Sequence, residues 1–142
     1  MSYDAARAAL VTLLEGAAIT TPITKAIGRV YADPPATVED LPCLILYGSS
    51  GARDWVAHGL SSITEEHTER VRLLVRDADP DRAFNIVRAF RSAIVTLITA
   101  GPTLGANVRI SRVSWDEPAG VMYGGVELTG MDIFVTFRVM AP

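Results

Sequence analysis

The chain has 142 residues, 49% hydrophobic and 20% charged, with a formal net charge of -3. That length suits a single domain, residues 1–142, around one buried core, and the composition excludes disordered and collagen-like chains. Mild acidity removes the general attraction to phosphate backbones and argues against nucleic acid as the primary partner.

Ser2 or Asp4 can cap a first helix that runs to Glu15, because Ala6, Leu10, Leu13 and Leu14 recur at helical spacing and Gly16 follows. Residues 17–39 hold Pro22, Pro34 and Pro35 and read as a connector, with Arg29-Val30-Tyr31 as a short extended piece. Leu41-Pro42-Cys43-Leu44-Ile45-Leu46-Tyr47 is an apolar run bounded by Gly48, which predicts a strand buried on both faces. A second strand starts at Glu69, with Glu69, Val71, Leu73 and Val75 on one face and Arg70, Arg72, Leu74 and Arg76 on the other.

Asp79-Pro80 then supplies an N-cap followed by proline at the first helical position. The second helix carries the stripe Ala83, Val87, Phe90, Ile94 and Leu97 and ends at Gly101-Pro102. Beyond it, Val108 and Ile110 alternate with Asn107, Arg109 and Ser111. The apolar phase then slips to Val113 and Trp115, which predicts a third strand with a bulge near Ser111-Arg112. The last strand sets Ile133, Val135, Phe137 and Val139 against Phe134, Thr136, Arg138 and Met140.

The order α-β-β-α-β-β predicts an α+β fold in which two helices pack on one face of a four-stranded, mainly antiparallel sheet. Long loops are expected at about 48–68 and 116–130, the second rich enough in glycine to form a hairpin tip or arm. One cysteine, Cys43, excludes an intramolecular disulfide and fits a reducing compartment. The start, Met1 to Arg7, has no basic segment followed by an apolar run, and Ile94–Ala100 is too short to span a bilayer, so a soluble, cytosolic chain with no membrane partner is expected.

No residue arrangement predicts catalysis, a cofactor or a metal. His58 or His67 could in principle serve Cys43 as a base, but Cys43 sits in an apolar run, where burial raises a thiol pKa, so an inert core cysteine is expected. His58, Glu65, Glu66 and His67 match no metal-ligand pattern. Gly48-Ser49-Ser50-Gly51-Ala52-Arg53 lacks the Lys-Ser or Lys-Thr of a phosphate loop, and no helix opens after it. The acidic pairs Asp77 with Asp79 and Asp116 with Glu117 fall at turns, where Asp is favoured for local hydrogen bonding.

Binding to other protein chains is the remaining expectation. Arg70, Arg72 and Arg76 on one strand face, with Arg138 across from them, can grip an acidic surface, and Leu74, Phe134 and Met140 share that face. Trp55, beside Arg53 in the first long loop, has the character of an interface anchor. The candidate interface is therefore Arg53, Trp55, Arg70, Arg72, Arg76 and Arg138.

The layout also resembles a family. An N-terminal helix precedes Val30-Tyr31-Ala32-Asp33-Pro34-Pro35, then Leu41-Pro42-Cys43-Leu44-Ile45-Leu46-Tyr47-Gly48. A polar loop and the strand Arg72-Leu73-Leu74-Val75-Arg76 then lead through Asp77-Ala78-Asp79-Pro80 into a helix. Over most of the chain this resembles the tail terminator, or tail completion, proteins of long-tailed bacteriophages and phage-like particles.

The resemblance implies a non-enzymatic virion structural protein of the tail's neck region, assembled in the host cytoplasm. It would form a homo-oligomeric, typically hexameric, ring on the end of the tail tube and stop tube polymerisation there. Its partners would be its own copies, the tail tube protein and the head-tail connector protein, with DNA only as cargo through the channel. Two alternatives stand beside it: a head-tail connector, neck or tail tube protein, and a small ligand-binding domain or enzyme using the open sheet face.

Overall fold

The computed structural model describes residues 3–16, 18–19, 25–38, 41–55, 63–100, 103–105 and 108–141. In chain order the elements are α1 (Tyr3–Leu14), β1 (Ala18–Ile19), β2 (Lys25–Ala26), β3 (Arg29–Tyr31), β4 (Cys43–Trp55), β5 (Ile63–Val75) and α2 (Pro80–Ala100). There follow β6 (Thr103–Gly105), β7 (Val108–Trp115), β8 (Ala119–Tyr123) and β9 (Val126–Ala141).

Asp79 caps α2 as its sequence dictates. Its carboxylate accepts the Asp81 N–H at 3.1 Å, and its carbonyl accepts the Ala83 N–H at 2.9 Å. The buried stripe of α2 is Ala83, Ile86, Val87, Phe90, Ile94 and Ile98, so Ile98 takes the deep position expected of Leu97, which is half-buried. Among the described residues α2 is the one helix long and apolar enough to cross a membrane, and its stripe is packed into the core. Ser2, Gly101 and Pro102, read above as cap and stop signals, lie outside the described residues.

The expectation of α+β with two helices on one sheet face holds, but the sheet is larger than four strands. Six strands run in the order β3-β4-β5-β9-β7-β6, and β8 pairs with β9 beyond the end of β7. The sheet is mixed, since β3 lies parallel to β4 and the other pairings are antiparallel. β3 and β6 span three residues each, too few to leave a periodic signal.

Both stretches expected as long loops contain paired strand. β4 runs on through Ser49–Trp55, opposite Ile63–Glu69 of β5, after a register shift between Leu46 and Ser49. These polar residues show no apolar alternation. Their conformation comes from backbone pairing with β5, which is itself held on its other edge by β9. Residues 56–62 lie outside the described residues. In the second stretch, β8 and the start of β9 form a hairpin around Gly124 (φ 56°) and Gly125 (φ 80°), a two-residue turn whose left-handed backbone calls for glycine at both positions.

The chain thus makes two long hairpins, β4–β5 and β7–β8–β9, joined along β5 and β9. The principal core lies between the helices and the sheet, with Leu10, Leu14, Phe90 and Ile94 facing Leu46, Leu73, Ile133, Val135 and Phe137. Glu69 is the one fully buried charged residue among the described residues. It meets Arg7 of α1, whose Nε donates to Glu69 Oε1 at 3.1 Å, and the same oxygen accepts the Gly48 N–H at 2.8 Å. Arg7 Nη2 also donates to the carbonyls of Leu46, at 3.2 Å, and Ala32. One guanidinium therefore ties α1 to β4, β5 and the segment after β3.

Candidate protein-protein interface

The sheet face turned away from the helices has two halves. Over the first, residues 31–38, Leu41 and the β8–β9 hairpin cover a second apolar cluster of Tyr31, Cys43, Ile45, Leu74 and Leu128, with Val38, Leu41, Tyr47, Val121 and Tyr123 at its edge. Tyr123 donates its hydroxyl hydrogen to the Pro35 carbonyl, clamping the hairpin onto that segment. Burial raises the pKa of this phenol above its ordinary value. Leu74, expected on an open face, is fully buried here, and so is Cys43.

Gly130 of β9 stands in register between Leu74 of β5 and Ala119 of β8. A Cβ there would come within 2.9 Å of the Leu73 carbonyl oxygen and 3.0 Å of both Leu74 and Val121 side chains. The chain needs glycine at that point because its neighbours leave no room for a methyl group.

The second half of the face is uncovered by any described segment. Here the register sets residues side by side in three rows across β5, β9 and β7: Arg70–Phe134–Ser114, Thr68–Thr136–Arg112 and Glu66–Arg138–Arg109. Thr68 and Thr136 share a hydroxyl hydrogen bond at 2.9 Å, and Arg138 Nε donates to Glu66 Oε2 at 3.2 Å. Arg109, Arg112 and Arg138 are exposed, and the others are half-buried. The boundary between the halves is Arg72, which donates to both carboxylate oxygens of Asp132, at 2.8 and 3.1 Å. That hydrogen bond raises the pKa of Arg72 above its ordinary value against the opposing effect of partial burial. The guanidinium carbons of Arg70 and Arg72 lie 4.3 and 5.1 Å from the Tyr47 ring centroid, which stiffens both side chains.

Of the six residues expected at an interface, Arg70, Arg72 and Arg138 come together on this face. Arg76 lies past the end of β5, exposed, in a groove of about 410 Å³ that it lines with Asp77, Pro80, Phe84 and Glu127. Arg53 and Trp55 fall within β4, in register with Glu65 and Ile63. Glu65 and His67 meet each other, Oε2 to Nε2 at 3.1 Å, and the His67 ring lies 5.9 Å from that of Phe137. His58 lies outside the described residues.

Sequence reasoning missed Arg109 and Arg112. The bulge between Ile110 and Arg112 puts these residues, three apart, on the same face, whereas strict alternation would separate them. The phase slip that predicts the bulge is the signal that could have found them.

No family model and no curated protein matches this chain. Among solved structures it is similar to a chain described as "Virion of native gene transfer agent (GTA) particle", with a TM-score of 0.54 and 16% sequence identity. The superposition covers 99% of this chain and 100% of that one, so the two share their fold from end to end.

Proposed function

We propose that this chain is a structural protein of a phage-like particle and, within it, a tail terminator: a ring, typically of six copies, seated on the last ring of the tail tube. The observation that carries the reading is the full-length fold match to a chain of a gene transfer agent virion, 99% of one and 100% of the other. The finer role draws on the resemblance of the segments around Val30–Pro35, Leu41–Gly48 and Arg72–Pro80 to tail terminators.

The geometry suits such work. Three long strands, β4 and β5 of 13 residues and β9 of 16, build a broad, basic sheet face with aromatic side chains, a surface suited to other proteins rather than to a small substrate. In this reading the partners are other copies of the chain, the tail tube protein and the head-tail connector, the location is the neck of the tail, and the role is non-enzymatic.

Negative-stain electron microscopy of the purified protein, alone and mixed with tail tubes of the same particle, tests the proposal. Rings that cap tube ends and halt their growth are the expected result. Unlimited tubes formed by the protein alone would make it a tube subunit, and a protein indifferent to tubes would sink the terminator role.

A further inference from the structure

The uncovered half of the sheet face has a charge arrangement that the fold does not require. Arg109 and Arg138 stand directly opposite each other on β7 and β9, a like-charge pairing that destabilises a sheet. Arg112 and Arg70 flank them on the same face, and one carboxylate, Glu66, stands among the four. Four arginines against one glutamate make the patch +3. The whole chain is -3, so the rest of the molecule carries -6. The remainder of a second copy therefore carries a net charge of opposite sign to this patch.

The best complement lies at the other end of the sheet. Asp79 and Asp81 at the start of α2 and Glu127 on β9 are all exposed, Asp77 beside them is paired with Arg82 at 3.4 Å, and exposed Arg76 in the same groove leaves these four carboxylates and two arginines at -2. β5 spans the two regions: Thr68 sits in the basic patch, and Val75, roughly 20 Å further along the strand, leads into the acidic end.

We infer that the basic patch of one copy docks the α2-start end of the next. The contact joins two different surfaces, so it is head-to-tail and propagates into a ring or filament instead of stopping at a two-fold dimer. This inference rests on the ring reading above and deepens it by naming which surfaces meet between copies.

Charge reversal tests it. Sedimentation velocity of the full chain at about 50 mM NaCl should show an oligomer that dissociates at about 500 mM. The variant Arg112→Glu/Arg138→Glu exchanges the Arg138–Glu66 pair for one with Arg109 across the other side of β9, so it should keep a near-wild-type thermal melt and associate at least about 10-fold more weakly, and so should Asp81→Lys/Glu127→Lys. Mixed together, the two variants should assemble again, because each reversed surface then meets a reversed complement and each native surface a native one. An Arg112→Glu/Arg138→Glu protein that assembles like wild type, a mixture that stays monomeric, or a wild type that never self-associates would each overturn the inference.

Tube capping separates this from the terminator role. If Arg112→Glu/Arg138→Glu caps tubes as wild type does, the docking surface is wrong and the role stands. If the mixture reassembles while wild type ignores tubes, the surface stands and the role falls.

Discussion

Replacing Arg7 by methionine should be among the most damaging changes outside the apolar core. The guanidinium Nε lies 3.1 Å from Glu69 Oε1, the Arg7 side chain is 16% exposed, and Glu69 is fully buried. Unit charges about 4 Å apart attract by about 4 kcal/mol at an effective dielectric near 20, and removing one partner of a buried pair typically costs about 3–5 kcal/mol. Arg7→Met also withdraws the donors that meet the Leu46 and Ala32 carbonyls, which keeps the expected loss within that range despite the recovered apolar contact.

Such a loss is a large share of the roughly 5–15 kcal/mol that holds a domain folded. Urea denaturation followed by far-UV circular dichroism would read it as a midpoint lowered by about 1.5–2.5 M, for a slope near 2 kcal/mol per molar. Adding Glu69→Gln to Arg7→Met should restore at least about 1 kcal/mol, since most of the damage is an uncompensated buried charge. A loss below about 1 kcal/mol for Arg7→Met, or no recovery in the double variant, would refute the view that this pair is desolvated and mutually dependent.

Three further outcomes follow from the packing. Gly130→Ala forces a methyl group to within 2.9 Å of the Leu73 carbonyl and should cost about 1–3 kcal/mol by thermal melting, with the β8–β9 hairpin losing hydrogen-exchange protection first. Phe90→Ala empties a fully buried position between α2 and the sheet and should cost about 3–5 kcal/mol; a negligible loss would mean the side chain is not in the core. The raised pKa of Tyr123 means the folded state favours the neutral phenol, so its contribution is full below the unfolded value near 10 and is lost as pH rises through the higher folded value. Tyr123→Phe should therefore flatten the decline in stability above about pH 10, and an unchanged alkaline profile would disprove the assignment.

The long periodic elements were legible in the sequence. α2 announced itself through Asp79-Pro80 and a stripe correct as far as Ile94, beyond which Leu97 was expected where Ile98 is buried, and the bulge in β7 through the phase slip after Ile110. What could not be read is whatever depends on a partner strand. Ser49–Trp55 has no pattern of its own and becomes strand through pairing with β5. Likewise, nothing local to Leu74 says that residues 31–38, Leu41 and the Gly124–Gly125 hairpin will close over it, so a face that alternates cationic and apolar residues read as uniformly open.

The candidate interface divided along the same line. Arg70, Arg72 and Arg138 were placed by alternation within single strands, and the register then brought them together. Asp132, which neutralises Arg72, and Arg109 and Arg112, which enlarge the basic patch, depend on pairing between β5, β9 and β7. Cross-strand partners set the net charge of the surface, and they are separated in sequence by dozens of residues.

The seam between β5 and β9 also sets a timetable. The Gly124–Gly125 turn closes its hairpin between adjacent residues, a microsecond event, and β4 meets β5 across a short connection. The seam instead joins Val75 to Thr129 and Ile63 to Ala141, positions 54 and 78 residues apart. Closing those loops is the slow, entropically costly step, so the two hairpins should form early and the chain should wait on their meeting. Until they meet, the inner edges of β5 and β9 are unpaired templates for any other strand, which makes the interval between hairpin formation and seam closure the period in which a newly made chain is most exposed to mispairing with its neighbours.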